Sequence, residues 1–331
     1  MEYRKLIKFG NSSFVISLPK EWVRKHNVKK GDMVFFEENE KSELVLSPSN
    51  IEDIDDKKII KLNIDGMSDK EIEREIIANY IKEFSRIIIT GNEVASRYKE
   101  IRGMLHNLVA IEVIEQSNER IIAKDFLNVK EIELNDLRKR LDIVVRGMLT
   151  DSKLGENKKN YENINNRDSD ANRFAYVLFR VIRRGIKKSA VRKTIGMSSI
   201  GLVHELHTIL TMERIADIAK RISREDYKGN LTKEEMVGLN AIYSVIIDNY
   251  NDAIKSYRLK DYKLSCEVFS RNKKVITLCD DIKLNLKTAP SSKILHLLRE
   301  LSTNVSIMGE IGMMNADTTI SKISYEQNSE Q

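Results

Sequence analysis

From about residue 131 to residue 320, apolar residues recur every three to four positions. This one pattern restricts the larger part of the chain to helices packed on helices. The spacing predicts helices over residues 134–150, 161–188, 200–223, 233–258, 262–287 and 292 to about 316. Residues that stop helices fall between them: Gly155, Gly196, Lys228-Gly229-Asn230 and Ala289-Pro290. With the Lys-Gly-Asn break between the halves, the six helices read as a repeat of two three-helix bundles. The polar residues 321–331 are expected to form a flexible tail.

One side chain conflicts with this pattern. Leu202, Leu206, Ile209, Ala216 and Lys220 follow steps of three and four that pass through position 213, so Glu213 lies on an apolar stripe, with Asp217 one turn on. Like charges at that spacing cost a helix about 0.2–0.5 kcal/mol, and a carboxylate is seldom fully buried unpaired. The pair therefore calls for a cation. A metal ion is one candidate. The other is an internal ion pair, Asp217 with Arg221 and Glu213 with Arg173 or Arg180 across the bundle.

Residues 1–50 follow a different rule. Leu6, Ile7 and Phe9 read as one strand and Ser13 to Leu18 as a second. Pro19 opens a short helix reaching Lys25, Gly31-Asp32 turns the chain, and Met33 to Phe36 and Leu44 to Leu46 are further strands. About 50 residues of β structure leave open edges and a thin core, which a second copy would cover, so an interleaved homodimer is expected. Within residues 1–31 eight basic residues oppose only Glu2 and Glu21, a net charge of +6, and acidic residues gather from Asp32 to Glu43. That segregation favours a one-sided phosphate-binding surface over an ordinary solvated face. Arg4, Lys5, Lys8, Lys20, Arg24 and Lys25, with Ser12 and Ser13 in the first turn, are the residues expected to meet DNA. Trp22 reads as a core anchor for the short helix.

Lys5 to Phe9, Gly10-Asn11-Ser12-Ser13, Val15-Ile16-Ser17-Leu18-Pro19-Lys20, Trp22-Val23 and Lys30-Gly31-Asp32 occur in the order of the AbrB/SpoVT (MazE-like) swapped-hairpin family, which this segment resembles. The resemblance implies a DNA-binding dimer.

Residues 51–130 are expected to form a small α+β module of ferredoxin-like type. An acidic linker, Ile51 to Lys58, precedes a strand at 59–64, a helix at 69–82 and a strand at 86–90. A second helix at 93–105 leads to a hairpin around Ser117-Asn118. Ser68 and Glu71 make a capping box for the first helix. No constellation of His, Cys or carboxylates marks chemistry there, and the module reads as a spacer or dimerisation element.

The helical body carries a second resemblance. Met212-Glu213-Arg214-Ile215-Ala216-Asp217, and Asp168 to Phe174 followed by Arg180, resemble the third-helix and second-helix signatures of the PhoU family of phosphate-uptake regulators. That likeness implies a negative regulator relaying phosphate status from a phosphate ABC transporter or signalling partner. It also implies carboxylates, here Glu213, Asp217 and Asp168, that hold a divalent metal or an iron or zinc cluster. The sequence departs from the pattern at Asn172, where a carboxylate is expected, and at Gly309 and Met313, which take both carboxylate positions in the second half. A neutral amide is a poorer ligand for such an ion. An AbrB-like head on a PhoU-like body looks like the archaeal phosphate-uptake regulators. The fold expected is multidomain and mostly α: a β-rich swapped-hairpin head, a small α+β middle unit and a C-terminal pair of three-helix bundles.

Other features narrow the function. The apolar runs are far shorter than the ~18 residues a spanning helix needs, and the N-terminus lacks an apolar signal region, so a cytoplasmic protein is expected. Cys266 and Cys279 are the two cysteines, with no adjacent histidine to suggest zinc. None of the five histidines follows a Glu by three residues, which argues against a di-iron oxidase. No nucleophile elbow, phosphate-binding Gly-rich loop or His-Glu-x-x-His is present, so catalysis is not expected. His204 and His207, one turn apart, read as surface. The run Arg180, Arg183, Arg184, Lys187, Lys188, Arg192, Lys193 reads as a capped helix end or, more sharply, as a docking patch for an acidic partner or DNA. The reading reached is a DNA-binding regulator of phosphate homeostasis, with a non-DNA-binding adaptor of a phosphate transporter or signalling protein as the alternative.

Overall fold

The structure, a computed structural model, describes residues 3–38, 42–48, 58–128, 131–155 and 161–328, with side chains to residue 316. The chain divides into two units, residues 1–58 and 59–331. It is multidomain and mostly helical, with a β-rich N-terminal unit.

In the first unit, β1 (Ile7–Phe9) pairs antiparallel with β2 (Ser13–Val15), setting Lys8 opposite Phe14 and Phe9 opposite Ser13. The turn between them uses Gly10 at φ 69°, where a residue without Cβ is unstrained. The second strand ends before Ile16, short of the expected Leu18. Helix α1 (Lys20–Lys25) starts behind Pro19, whose carbonyl accepts the Val23 N–H at 3.1 Å. Gly31 at φ 95° makes the next turn, secured by the Asp32 carboxylate on the Lys29 N–H at 2.7 Å. Strands β3 (Phe35–Glu38) and β4 (Leu44–Ser47) then pair antiparallel. The two hairpins form separate two-stranded sheets. The acidic linker from Ile51 lies outside the described residues, except for Lys58.

The second unit begins with an α+β layer: β5 (Ile59–Asn63), α2 (Asp69–Ile81), β6 (Arg86–Thr90), α3 (Tyr98–His106), β7 (Ile111–Gln116) and β8 (Arg120–Asp125). The capping box of Ser68 and Glu71 is present. The sheet order is β5-β6-β8-β7, with β5 parallel to β6 and the other pairs antiparallel. This corrects the ferredoxin-like expectation. The elements run β-α-β-α-β-β, whereas a ferredoxin-like fold runs β-α-β-β-α-β. The helical crossover makes β5 and β6 parallel neighbours, and the short turn at Ser117-Asn118 makes β7 and β8 a hairpin at the far edge. Ile72, Ile76, Ile101 and Leu105 of the helices bury Ile87, Ile89, Ile121 and Ala123 of the sheet.

Among the described residues seven helices follow: α4 (Leu134–Asp151), α5 (Tyr161–Lys187), α6 (Ser189–Ile195), α7 (Ser199–Lys228), α8 (Lys233–Leu259), α9 (Tyr262–Lys283) and α10 (Ala289–Asn328). The six expected helices are all there. The short α6 is additional, ended by Gly196 at φ 71°. Helices α4, α5 and α7 pack on one another, as do α8, α9 and α10, and α7 against α10 joins the halves. One continuous core runs through both. The last helix runs to Asn328, past residue 321 where the tail was expected to begin; residues 329–331 lie outside the described residues.

The boundary expected at residue 130 is not a division of the molecule. Arg180 of α5 is buried, pairs with Asp125 on β8 and lies over the Tyr80 ring of α2 at 4.3 Å. Tyr176, one turn earlier, packs on the sheet's own core. The α+β layer and the helices thus form one unit.

Within the second half, a carboxylate ties the start of α8 to the connection between α9 and α10. Glu235 completes a capping box with Thr232 at the start of α8, and its Oε1 accepts the N–H groups of Lys287 and Thr288 at 2.8 and 3.1 Å and the Ser291 hydroxyl at 2.8 Å. Burial alone would raise this carboxyl. The bonds from Thr232, Lys287, Ser291 and Thr288 outweigh it and hold the pKa down to about 2.

Candidate nucleic-acid interface

The residues expected to meet DNA, Arg4, Lys5, Lys8, Ser12, Ser13, Lys20, Arg24 and Lys25, are all exposed and all in the first unit. The fold brings some of them together. Lys20 and Arg24, four apart, share a face of α1, and Lys25 lies about 100° further round. Arg4 and Lys5 lead into β1, which carries Lys8. Ser12 occupies the tip of the hairpin. Ser13 is separated from Lys8: Lys8 shares a face with Phe14, and Ser13, adjacent to Phe14 in the strand, turns to the opposite face. Lys8 and Ser13 of one copy therefore meet different surroundings.

The same unit carries a second feature. Leu6, Ile7, Phe9, Phe14, Phe36 and Leu44 are each more than 60% exposed, and none of the unit's described residues is buried. Trp22 is half-buried and its ring lies 4.9 Å from His26, so the core anchor expected of it is incomplete within one copy. Among the described residues, a single copy presents cations together with apolar side chains that stay exposed.

The carboxylates expected to hold a metal lie between α5 and α7. Lys220 Nζ sits 2.7 Å from Asp168 Oδ2 and 3.1 Å from Asp217 Oδ1, so an ammonium meets the charge of both. Burial opposes the Lys220 charge, but these partners outweigh it and raise its pKa. The Asn172 amide approaches Asp168 at 3.5 Å. A lysine between two carboxylates and an amide in place of a third do not fit a carboxylate metal centre. Among the described residues no three His, Cys, Asp or Glu are grouped to hold a metal. The ion pair that forms is Asp217 with Lys220 rather than Arg221, which pairs instead with Glu300 at 3.2 Å. Arg180 is taken by Asp125, and Arg173 pairs with Asp170 at 3.9 Å, so neither expected arginine meets Glu213.

Glu213 itself is half-buried. Burial, then the charges of Asp217 and Asp168, hold its carboxyl above the usual range. Burial and the charges of Glu213, Glu73 and Asp168 push the nearby Tyr176 up to about 12. In the second half, Gly309 sits where a Cβ would come within 2.9 Å of the Phe269 nitrogen and 3.0 Å of the Ser265 carbonyl oxygen. The close crossing of α10 on α9 thus takes the place that a carboxylate holds in the first half.

The carboxylate that is fully buried is Glu205, which the sequence reading passed over. It accepts from Arg138 at 3.0 Å and from the Tyr257 hydroxyl at 2.8 Å, joining α4, α7 and α8. Burial raises its pKa, opposed by Arg138 and Tyr257. Leu202, Glu205, Ile209 and Met212 form the buried stripe, which shares Leu202 and Ile209 with the stripe through Glu213 but takes Glu205 and Met212 where that one takes Leu206 and Glu213.

Two further expectations change. His204 is buried, not on the surface, and burial followed by His207 lowers its pKa. The basic run is partly internal, since Arg180 is buried in its ion pair and Arg192 donates to the Gly185 carbonyl at 3.0 Å, closing the end of α5.

Residues 7–53 match the family described as antidote-toxin recognition MazE, bacterial antitoxin. No curated protein and no solved structure matches the chain. Among the described residues no helix is long and apolar enough to cross a membrane.

Proposed function

We propose that the chain is a DNA-binding regulator that works as a homodimer through its N-terminal unit. The observation that carries this is the coincidence, in one family-matched segment, of exposed cations on β1 and α1 with apolar faces left open in a single copy. Pairing two copies would bury those faces, remove the open strand edges and double a positive surface suited to phosphate backbones. Lys5, Lys8, Lys20, Arg24 and Lys25 are the phosphate contacts in this reading.

The regulated process is phosphate homeostasis, with the protein acting negatively. Support comes from the likeness of Met212 to Asp217 and Asp168 to Arg180 to phosphate-uptake regulators, and from the three-and-three helical layout. The body reads phosphate status, through a transporter component or a signalling protein, and performs no catalysis. Mapping the genomic sites bound in phosphate-replete and phosphate-starved cells tests this. Occupancy at phosphate-uptake genes that falls on starvation is expected; sites indifferent to phosphate would remove that assignment.

The matched family's description names recognition of a toxin protein, which favours a second reading, an adaptor that binds a protein and not DNA. Absence of DNA retardation at low salt would select it.

A further inference from the structure

At the seam between the helical halves, α7 and the first turns of α10 border an open pocket of about 350 Å³, lined by Arg221, Arg224 and Glu225 from one side and Ser292, Lys293, His296 and Leu297 from the other. Three permanent cations and an imidazole face one lining carboxylate.

That carboxylate leaves donors unspent. Glu225 lies 3.7 Å from Arg224 Nε and 3.5 Å from Lys293 Nζ, close enough for attraction but at or beyond the limit of a hydrogen bond. The Arg224 side chain is 41% exposed and lies 3.7 Å from Glu225 through Nε, which leaves its terminal guanidinium nitrogens as donors toward the pocket. Arg221, in contrast, is held by Glu300 at 3.2 and 3.3 Å, which fixes one wall. The positive end of α10, a long helix beginning at Ala289, adds to the field from the same side.

We infer that this pocket binds a phosphate group, as inorganic phosphate or as the phosphoryl end of a small phosphorylated metabolite. A planar guanidinium fork with free donors and a lysine suit a tetrahedral dianion better than a single carboxylate. The volume is at the lower end of small-molecule sites, about 300–1,000 Å³, and admits more than a lone anion. Because α7 belongs to the first half and α10 to the second, the ligand bridges the halves. As the entrance for a phosphate signal the site rests on the regulatory reading above; as a binding site it does not.

The test is calorimetric titration of the full chain with inorganic phosphate and, separately, glycerol 3-phosphate, at constant ionic strength set with chloride. Binding of at least one is expected: phosphate alone identifies the free anion, and preference for glycerol 3-phosphate identifies the metabolite. Arg224→Gln should weaken binding by about tenfold or more. Glu225→Gln, which removes the competing carboxylate, should tighten it several-fold, an opposite change that misfolding could not mimic. No binding of either anion at millimolar concentration, or both variants binding as the parent does, would overturn the proposal. DNA binding by the same samples is read separately, so loss of one property leaves the other standing.

Discussion

The head and the helical body handle apolar side chains in opposite ways. In the body, Leu298, Leu301 and Val305 of α10 share one buried core with Val268 and Val275 of α9. In the head, Phe9, Phe14 and Phe36 remain exposed. The difference follows from size and shape. A long bundle has enough interior to close on itself, whereas two short hairpins and a six-residue helix do not. What the head lacks, a second head can supply.

The largest effect that separates the two regions should come from a charge on the uncovered face. Phe36→Asp should convert the full chain from dimer to monomer in sedimentation and abolish DNA binding, with the body's helical signal and unfolding unchanged. A dimer that persists would show that the body holds the copies together.

The converse variant is Asp125→Ala. It strands the buried Arg180 guanidinium and should destabilise the body by about 3–5 kcal/mol in denaturant unfolding, leaving DNA affinity at permissive temperature intact. A loss below about 1 kcal/mol would mean that the α+β layer is not locked to α5 by this pair.

Glu235 gives a smaller effect with a defined sign. Its folded pKa lies below the unfolded value of about 4.3, so its contribution is complete above that value and is lost as pH falls toward about 2. Glu235→Gln should cost about 1–3 kcal/mol at neutral pH and flatten the acid limb of stability against pH. An unchanged acid limb would remove Glu235 as its source.

Glu213 has the opposite sign and the smallest effect. Its raised pKa means that the folded state favours the protonated form, so its contribution is fullest at low pH and is lost as pH rises through the folded pKa. Glu213→Gln should therefore slightly stabilise the protein at neutral pH, with the gain shrinking as pH falls. Loss of stability, or loss of a bound metal, would restore the metal reading.

The same contrast governs what could be read from the chain. Helices α4, α5 and α7 to α10 were legible because a 3.6-residue period persists over many turns. The seven-residue α6 is too short to show one. The hairpin at Ser117-Asn118 and the cap at Ser68 rest on neighbours in sequence and were legible too. The sheet order and the partner of Arg180 depend on residues far apart: Arg180 looked like the start of a basic patch because nothing local shows that Asp125, 55 residues earlier, reaches it. Glu205 was missed because a stripe through Leu206 and Glu213 fits helical spacing as well as one through Glu205 and Met212, which exchanged a buried carboxylate for a half-buried one. In the candidate interface the residue types and their exposure were legible, whereas the opposed faces of Lys8 and Ser13 required the strand register.

The central claim, that the paired head grips DNA through its cations, is tested most directly by the salt dependence of duplex binding. Anisotropy of labelled DNA should report tight binding by the full chain at low salt and a steep linear fall of log affinity with log salt. Lys20→Ala with Arg24→Ala should flatten that slope by up to about four units, since a symmetric pair loses two contacts per substitution. No binding at low salt, or a slope that the double substitution leaves unchanged, would contradict it.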